Sequence, residues 1–198
     1  MQPRIEVAQQ DNQALLSPTQ LWAEQQQKLQ QLNQWQLQAQ LAIISPDSRN
    51  SASLFWQQES STDYQANLTG PFGVHLMTVK YGQGIASLVL DDNKTYRHPS
   101  ISVLLNRFSP IPIPVNELRY WIIGEPLSQD ITLDSRGRIK QALHPKGWKI
   151  DYQAYKYKTF IAAGKETPLW LPTKINIAKD DIRIKIAIRE WTLDATDN

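Results

Sequence analysis

The 198-residue sequence contains no cysteine, which excludes disulfides, zinc ribbons and thiol catalysis in the chain as it stands. Its three histidines, His75, His98 and His144, are too scattered for a short metal-binding motif. No zinc-protease, nucleophile-elbow or phosphate-loop pattern occurs. Without a phosphate cradle there is no sign of nucleotide use, and no cofactor is expected. An enzymatic site would have to be assembled from residues far apart in sequence, so the chain is read as a non-enzyme. No apolar stretch approaches the ~20 residues that a transmembrane helix needs. Charged residues make up 20% and hydrophobic residues 41%, a balance unlike that of a highly charged disordered chain. At 22.7 kDa a single folded unit can bury about 70% of its extended surface, enough for a core.

What is present is unevenly distributed. The net charge is +2, yet residues 1–135 carry 8 Lys/Arg against 12 Asp/Glu, and residues 136–190 carry 13 against 5. A basic C-terminal third can face an acidic partner or anionic lipid, or form the solvated face of edge strands, where lysine discourages aggregation. The first forty residues hold 14 glutamines and no glycine. Residues 1–16 read as a flexible tether without the apolar core of a signal peptide, and 17–198 as one domain.

Ser17-Pro18-Thr19-Gln20 combines an N-cap, a proline at the first helical position and a capping-box glutamine, predicting a helix over 18–32. Its stripe of Leu21, Trp22, Leu29 and Leu32 is interrupted by Gln25, where a buried helix prefers an apolar residue. The period then changes to two. Trp35, Leu37, Ala39, Leu41 and Ile43 alternate with glutamines, the pattern of a half-buried strand. Further strands are expected at 51–59, 62–69, 74–81, 84–91, 93–97, 130–134, 138–143, 147–157, 169–178 and 181–192, with a loop at 158–167. Two helices interrupt them: one capped by Ser100 and carrying Val103, Leu104 and Leu105, the other from Pro114 to Ile123 with Leu118, Trp121 and Ile122 on one face. About eleven antiparallel strands are too many for a flat open sheet. The expected fold is mainly β: a single curved antiparallel sheet forming an unclosed β-barrel, with an N-terminal helix and two inserted lid helices.

A half-open barrel has more interior than its own side chains readily fill, which favours a ligand cavity. From strand alternation and helix faces, the lining candidates are Leu41, Leu54, Trp56, Leu68, Leu104, Leu105, Leu118, Trp121, Ile122 and Ile186. The plain alternative is that Trp56, Trp121 and Trp148 fill a core. Gly70-Pro71-Phe72-Gly73 suits a type I turn with Phe72 near a hairpin tip. Phe72 either folds back onto the sheet or projects as an apolar finger.

Four segments carry a family resemblance: Leu54-Phe55-Trp56-Gln57-Gln58, Leu68-Thr69-Gly70-Pro71-Phe72-Gly73, Ile113-Pro114-Val115-Asn116-Glu117-Leu118-Arg119-Tyr120-Trp121-Ile122-Ile123-Gly124 and Gly147-Trp148-Lys149-Ile150-Asp151-Tyr152. In order and spacing they resemble the outer-membrane lipoprotein receptor family LolB over roughly residues 17–192. The resemblance implies an unclosed β-barrel under helices, with an apolar cavity for the acyl chains of lipoproteins. It also implies a receptor that accepts lipoproteins from the periplasmic carrier LolA and inserts them into the outer membrane without nucleotide. The partners so implied are lipoprotein acyl chains, LolA and outer-membrane lipid, with no nucleic acid, and the protein acts as a monomer. A protruding apolar loop for membrane insertion matches Pro71, Phe72 and Gly73 by position, with phenylalanine where the family usually has leucine. Members are anchored at the periplasmic face of the outer membrane through an N-terminal lipidated cysteine. This chain has none and begins Met1-Gln2-Pro3, so the expectation is that the signal peptide and that cysteine have been removed and Met1 added. The alternatives are a soluble carrier of the LolA type, a lipocalin-like binder of small ligands, and a structural periplasmic adaptor docking through the basic strands.

Overall fold

The computed structural model describes residues 15–193. The expected start of the chain and most of the proposed tether, residues 1–14, lie outside this range. Eleven strands form one sheet: β1 (Trp35–Ile44), β2 (Arg49–Gln58), β3 (Tyr64–Thr69), β4 (His75–Gly82), β5 (Ile85–Leu90), β6 (Thr95–His98), β7 (Ile131–Leu133), β8 (Ile139–Leu143), β9 (Lys149–Ala162), β10 (Lys165–Lys179) and β11 (Ile182–Thr192). Their order is β6-β5-β4-β3-β2-β1-β11-β10-β9-β8-β7, every neighbouring pair antiparallel. Two consecutive meanders are therefore joined by the β1–β11 pairing, with β6 and β7 left as the edges. The sheet does not close. Helices α2 (Ile101–Phe108) and α3 (Val115–Ile123) lie in the connection between those two edges, so the chain segment that bridges the open edges also supplies the cover.

The inward residues of both meanders form one core cluster, with Leu37, Trp56, Leu88, Ile139, Ile150, Ile175, Ile177, Ile184 and Ile186 all buried. The alternation read in β11 holds: Ile184, Ile186 and Ile188 are buried, and Arg183, Lys185 and Arg189 are exposed. An aromatic row crosses five neighbouring strands. Trp191 meets Trp35 edge-on at 5.4 Å, and Trp35–Trp56, Trp56–Tyr64 and Tyr64–Tyr81 stack at 5.9, 4.9 and 6.0 Å.

Helix α1 (Pro18–Gln31) begins with the expected capping box: Gln20 N–H donates to Ser17 Oγ at 3.2 Å, and Ser17 N–H donates to Gln20 Oε1 at 2.8 Å. Gln25, taken as an interruption of the stripe, is buried. Its amide nitrogen donates to the Trp170 carbonyl at 2.7 Å, and its Oε1 accepts from the Trp170 N–H at 3.1 Å. The reason lies in β10, which pairs with β9 from Lys165 onward but with β11 only from Lys174. Along Lys165–Thr173 one side of β10 has no strand beside it, and the Gln25 amide supplies at Trp170 the donor and acceptor of a missing neighbour.

The loop expected at 158–167 is instead a tight hairpin. Strands β9 and β10 run into a two-residue turn at Ala163-Gly164, both at positive φ (48° and 74°), the geometry of a type I′ turn. Pro168 and Pro172 argue against a strand, but both lie on the overhanging part of β10, where a missing N–H breaks no ladder. The turn at Gly70–Gly73 also differs from expectation. A type I turn keeps φ negative, whereas Phe72 has φ 58° and ψ 21° and Gly73 has φ 75°. Gly73 N–H donates to Gly70 O at 3.3 Å and Val74 N–H to Pro71 O at 3.4 Å. The second bond encloses two left-handed residues, as a type I′ turn requires.

Two stability tests follow from these contacts. A Cβ on Gly137, at φ 70°, would stand 2.5 Å from Leu21 Cβ and 2.7 Å from the Pro18 carbonyl oxygen, so Gly137→Ala should lower unfolding free energy by about 2–5 kcal/mol in urea titration. Gln25→Leu keeps the helix but strands the Trp170 N–H and C=O, an expected loss of about 2–4 kcal/mol in the same titration.

Candidate functional site

The ten expected lining residues converge on the inside of the sheet. Leu54, Trp56, Leu104, Leu105, Leu118, Trp121, Ile122 and Ile186 are buried within the core cluster, and Leu41 and Leu68 are half-buried against it. Leu104 and Leu105 come from α2 and Leu118, Trp121 and Ile122 from α3, so both inserted helices turn their apolar faces onto the strands. Trp148 joins the same core, in tilted contact with Trp121 at 6.1 Å. Leu41 and Ile186 also border a groove of about 400 Å³ shared with Gln40, Lys174 and Lys185.

Helix α3 is held at its end by buried polar contacts. Tyr152 donates its hydroxyl to the Trp121 carbonyl at 2.8 Å, and Trp121 Nε1 donates to the Pro126 carbonyl at 3.0 Å. Gly124, at φ 92°, terminates it in the left-handed conformation of a C-cap. The link from α2 to α3 carries Pro110, Pro112 and Pro114, which keep it extended. Two sets of contacts tie α3 to the rest of the molecule: Lys146 pairs with Glu117, and Arg119 Nη1 donates to the Ser61 and Thr62 carbonyls at 3.2 and 3.3 Å.

A second apolar opening was not anticipated. A cavity of about 240 Å³ lies where the end of α1, the start of β1 and the end of α3 meet the β2–β3 loop, with Leu29, Leu32, Trp35 and Ile123 as its apolar wall and Arg119 and Glu125 at its polar side. Burial pushes the Glu125 carboxyl above its ordinary range, opposed by hydrogen bonds from the Leu127 N–H and the Gln26 amide. Leu29, Leu32 and Trp35 are legible as core positions from periodicity. That they face a void depends on where the β2–β3 loop comes to rest.

Phe72 projects. It is fully exposed at the tip of the β3–β4 hairpin, beside exposed Val74 and Leu76, so the alternative in which it folds back onto the sheet is not adopted. Its left-handed backbone costs a non-glycine residue about 1–2 kcal/mol. A large apolar side chain fully in water and a strained backbone coincide at one residue. The hairpin base is ordered by outer-face hydrogen bonds: His75 Nε2 and Thr78 Oγ1 are 2.9 Å apart, and Thr78 Oγ1 donates to Asn67 Oδ1 at 2.9 Å. The tip and the Arg119 contacts lie at opposite ends of β3, which spans about 17 Å at a rise of about 3.4 Å per residue.

The sequence model described as "Outer membrane lipoprotein LolB" matches residues 33–191. The chain is 31% identical over 180 residues to an outer-membrane lipoprotein LolB of Psychromonas ingrahamii, covering 89% of this chain and 84% of that one. It is 31% identical over 176 residues to one of Yersinia pestis, covering 87% and 81%. In fold it is similar to a solved LolA superfamily protein from Nitrosomonas europaea, with a TM-score of 0.52 at 9% identity over 92% of this chain and 96% of that one. An unclosed eleven-stranded sheet under inserted helices, matched along most of its length by these sequences, places the chain in the LolB family of outer-membrane lipoproteins.

Proposed function

We propose that this protein is a receptor that accepts lipoproteins from a periplasmic carrier of the LolA type, shelters their acyl chains beneath α2 and α3, and inserts them into the outer membrane without nucleotide. The native form is anchored by lipid at the periplasmic face of that membrane, and no bond is made or broken in the cycle. The observation that carries the reading is Phe72, a fully exposed phenylalanine held in a left-handed turn at a hairpin tip. A soluble carrier of the same fold has no use for such a tip. A protein that must touch a bilayer does.

Transfer can run downhill because each methylene taken out of water contributes about 0.8 kcal/mol. A receptor offering apolar surface through a movable cover binds more weakly than the bilayer that finally receives the chains. Leu41, Leu54, Trp56, Leu68 and Ile186 from the sheet, with Leu104, Leu105, Leu118, Trp121 and Ile122 from the helices, are the surfaces that acyl chains contact as α2 and α3 move off the strands. Here these groups close on one another, which spares them from water between transfers.

Pro71, Phe72 and Gly73 form the insertion loop. Burying a phenylalanine side chain stabilises membrane contact by about 1.5–3 kcal/mol, sufficient for a transient touch and too little for anchoring. In an assay that scores acceptance from the carrier and incorporation into vesicles separately, Phe72→Glu should keep acceptance and lose most incorporation, while Phe72→Leu should behave like the parent. Phe72→Gly relieves the left-handed strain, so its melting temperature should not fall even though incorporation does. Equal loss of both steps in Phe72→Glu would assign Phe72 to the cargo site.

Arg183, Lys185 and Arg189 on β11 and Lys174 on β10 are exposed on the outer wall, where they attract an acidic carrier over distance rather than by close pairing. Raising ionic strength from about 0.05 to about 0.5 M should weaken carrier binding by roughly tenfold, read by calorimetry or surface resonance. Salt-independent binding would leave these side chains the role of keeping the strands soluble.

A further inference from the structure

Among the described residues, two buried polar side-chain atoms have no hydrogen-bond partner, the Tyr64 hydroxyl and Arg119 Nε. Both residues border one cavity of about 300 Å³, at the start of α2 and the side of α3, with Pro99, Ile101 and Tyr81 among its walls. Unpaired buried groups are rare because leaving one unmade costs more than a made bond gains. Two around one cavity point to a common partner.

Neither group is loosely held. Tyr64 is only 3% exposed and stacks between Trp56 and Tyr81 at 4.9 and 6.0 Å. Burial pushes its pKa up to about 12, with the Arg119 charge acting more weakly the other way, so near neutral pH it carries its proton. The rest of the Arg119 guanidinium is fixed by uncharged groups: the Ser61 and Thr62 carbonyls, and the Tyr120 hydroxyl at 2.8 Å from Nη2. The free Nε–H can only donate, and it belongs to a cation. A ligand must therefore bring an acceptor oxygen, and two donors match the two lone pairs of one carbonyl oxygen. The lining is mixed, with Thr62, Ser100 and Asn116 beside Pro99 and Ile101, and its apolar side is the one by which a tail can leave. Ile101 lies on the same buried helix face as Leu104 and Leu105, which continues from this cavity along the underside of α2.

We propose that Tyr64 Oη and Arg119 Nε clamp the carbonyl oxygen at the head of an acyl chain whose tail runs beneath α2, an inference that rests on the acyl-binding reading above. The carbonyl can belong to a glyceride ester or to a free carboxylate. Ligand binding relieves both orphaned donors, and the clamp sets the depth to which a chain enters, at the end of β3 opposite the Phe72 tip.

Displacement of the uncharged probe N-phenyl-1-naphthylamine from the full chain tests this with three ligands: glyceryl monolaurate, its dodecyl ether analogue lacking the carbonyl, and laurate. The parent should prefer the ester to the ether. Tyr64→Phe keeps the aromatic stack and removes only the oxygen, so it should weaken the ester roughly three- to tenfold and the ether by less than about twofold. Loss for laurate as well identifies a site open to free carboxylates; loss for the ester alone identifies a glyceride site. Equal effects on ester and ether, or none on either, overturn the clamp and leave the hydroxyl with an internal water only. Should Tyr64→Phe fail to fold, Arg119→Lys is judged by the same ester-to-ether ratio. If the parent binds none of the three, the acyl-binding reading falls and the clamp with it. If all three bind with equal affinity, only the clamp falls.

Discussion

The pairing of β1 with β11 is the constraint on which the other features depend. It joins two meanders that each satisfy their own backbone groups locally and turns them into one curved surface with Leu37 opposite Trp191 and Leu41 opposite Ile186. A sheet whose middle is made by its first and last strands has its edges at β6 and β7, the two strands adjoining the middle of the chain. The helices that cover the apolar concavity are therefore not an added layer. They are the connection that any such topology must make, and their apolar faces are set by what they have to cross.

The same arrangement separates two kinds of chemistry. Around Tyr64 and Arg119 the molecule gathers buried donors, stacked rings and a guanidinium with only uncharged partners. At the other end of the β3–β4 hairpin it places an uncovered phenylalanine on a backbone that glycine or asparagine would adopt with less strain. A buried, ring-stacked hydroxyl and a fully exposed phenylalanine thus sit at opposite ends of the same two strands.

Much of this was legible in the residues. Ser17, Pro18 and Gln20 carry a helix start whose chemistry is local, and Ile182 to Ile188 carry a strand whose two faces follow from alternation alone. What escaped was non-local. Gln25 looks wrong on a helix until the overhang of β10 past β11 is known, because only then is there an unpaired peptide for its amide to meet. The loop expected at 158–167 proves to be hairpin, on a stretch of β10 that β9 pairs and β11 does not reach. The positive φ at Phe72 could not be read from a Gly-Pro-x-Gly spacing that a type I turn also satisfies. None of the ten expected lining residues borders the void beside the β2–β3 loop, which is walled by Leu29, Leu32, Trp35 and Ile123 and whose place depends on the Ser61 and Thr62 carbonyls, bound by Arg119 from a distant helix.

The β1–β11 seam also governs how the chain reaches this structure. Every strand contact within a meander joins neighbours in sequence, whereas Gln36 must find Thr192 across almost the full length. Loop-closure entropy makes that contact the slowest to form. Each half of the sheet can assemble early as hairpins, but until the seam closes the inner faces of both halves stand open to water and to other chains. The period of greatest exposure to aggregation thus falls late in folding and lasts until Trp191 reaches Leu37.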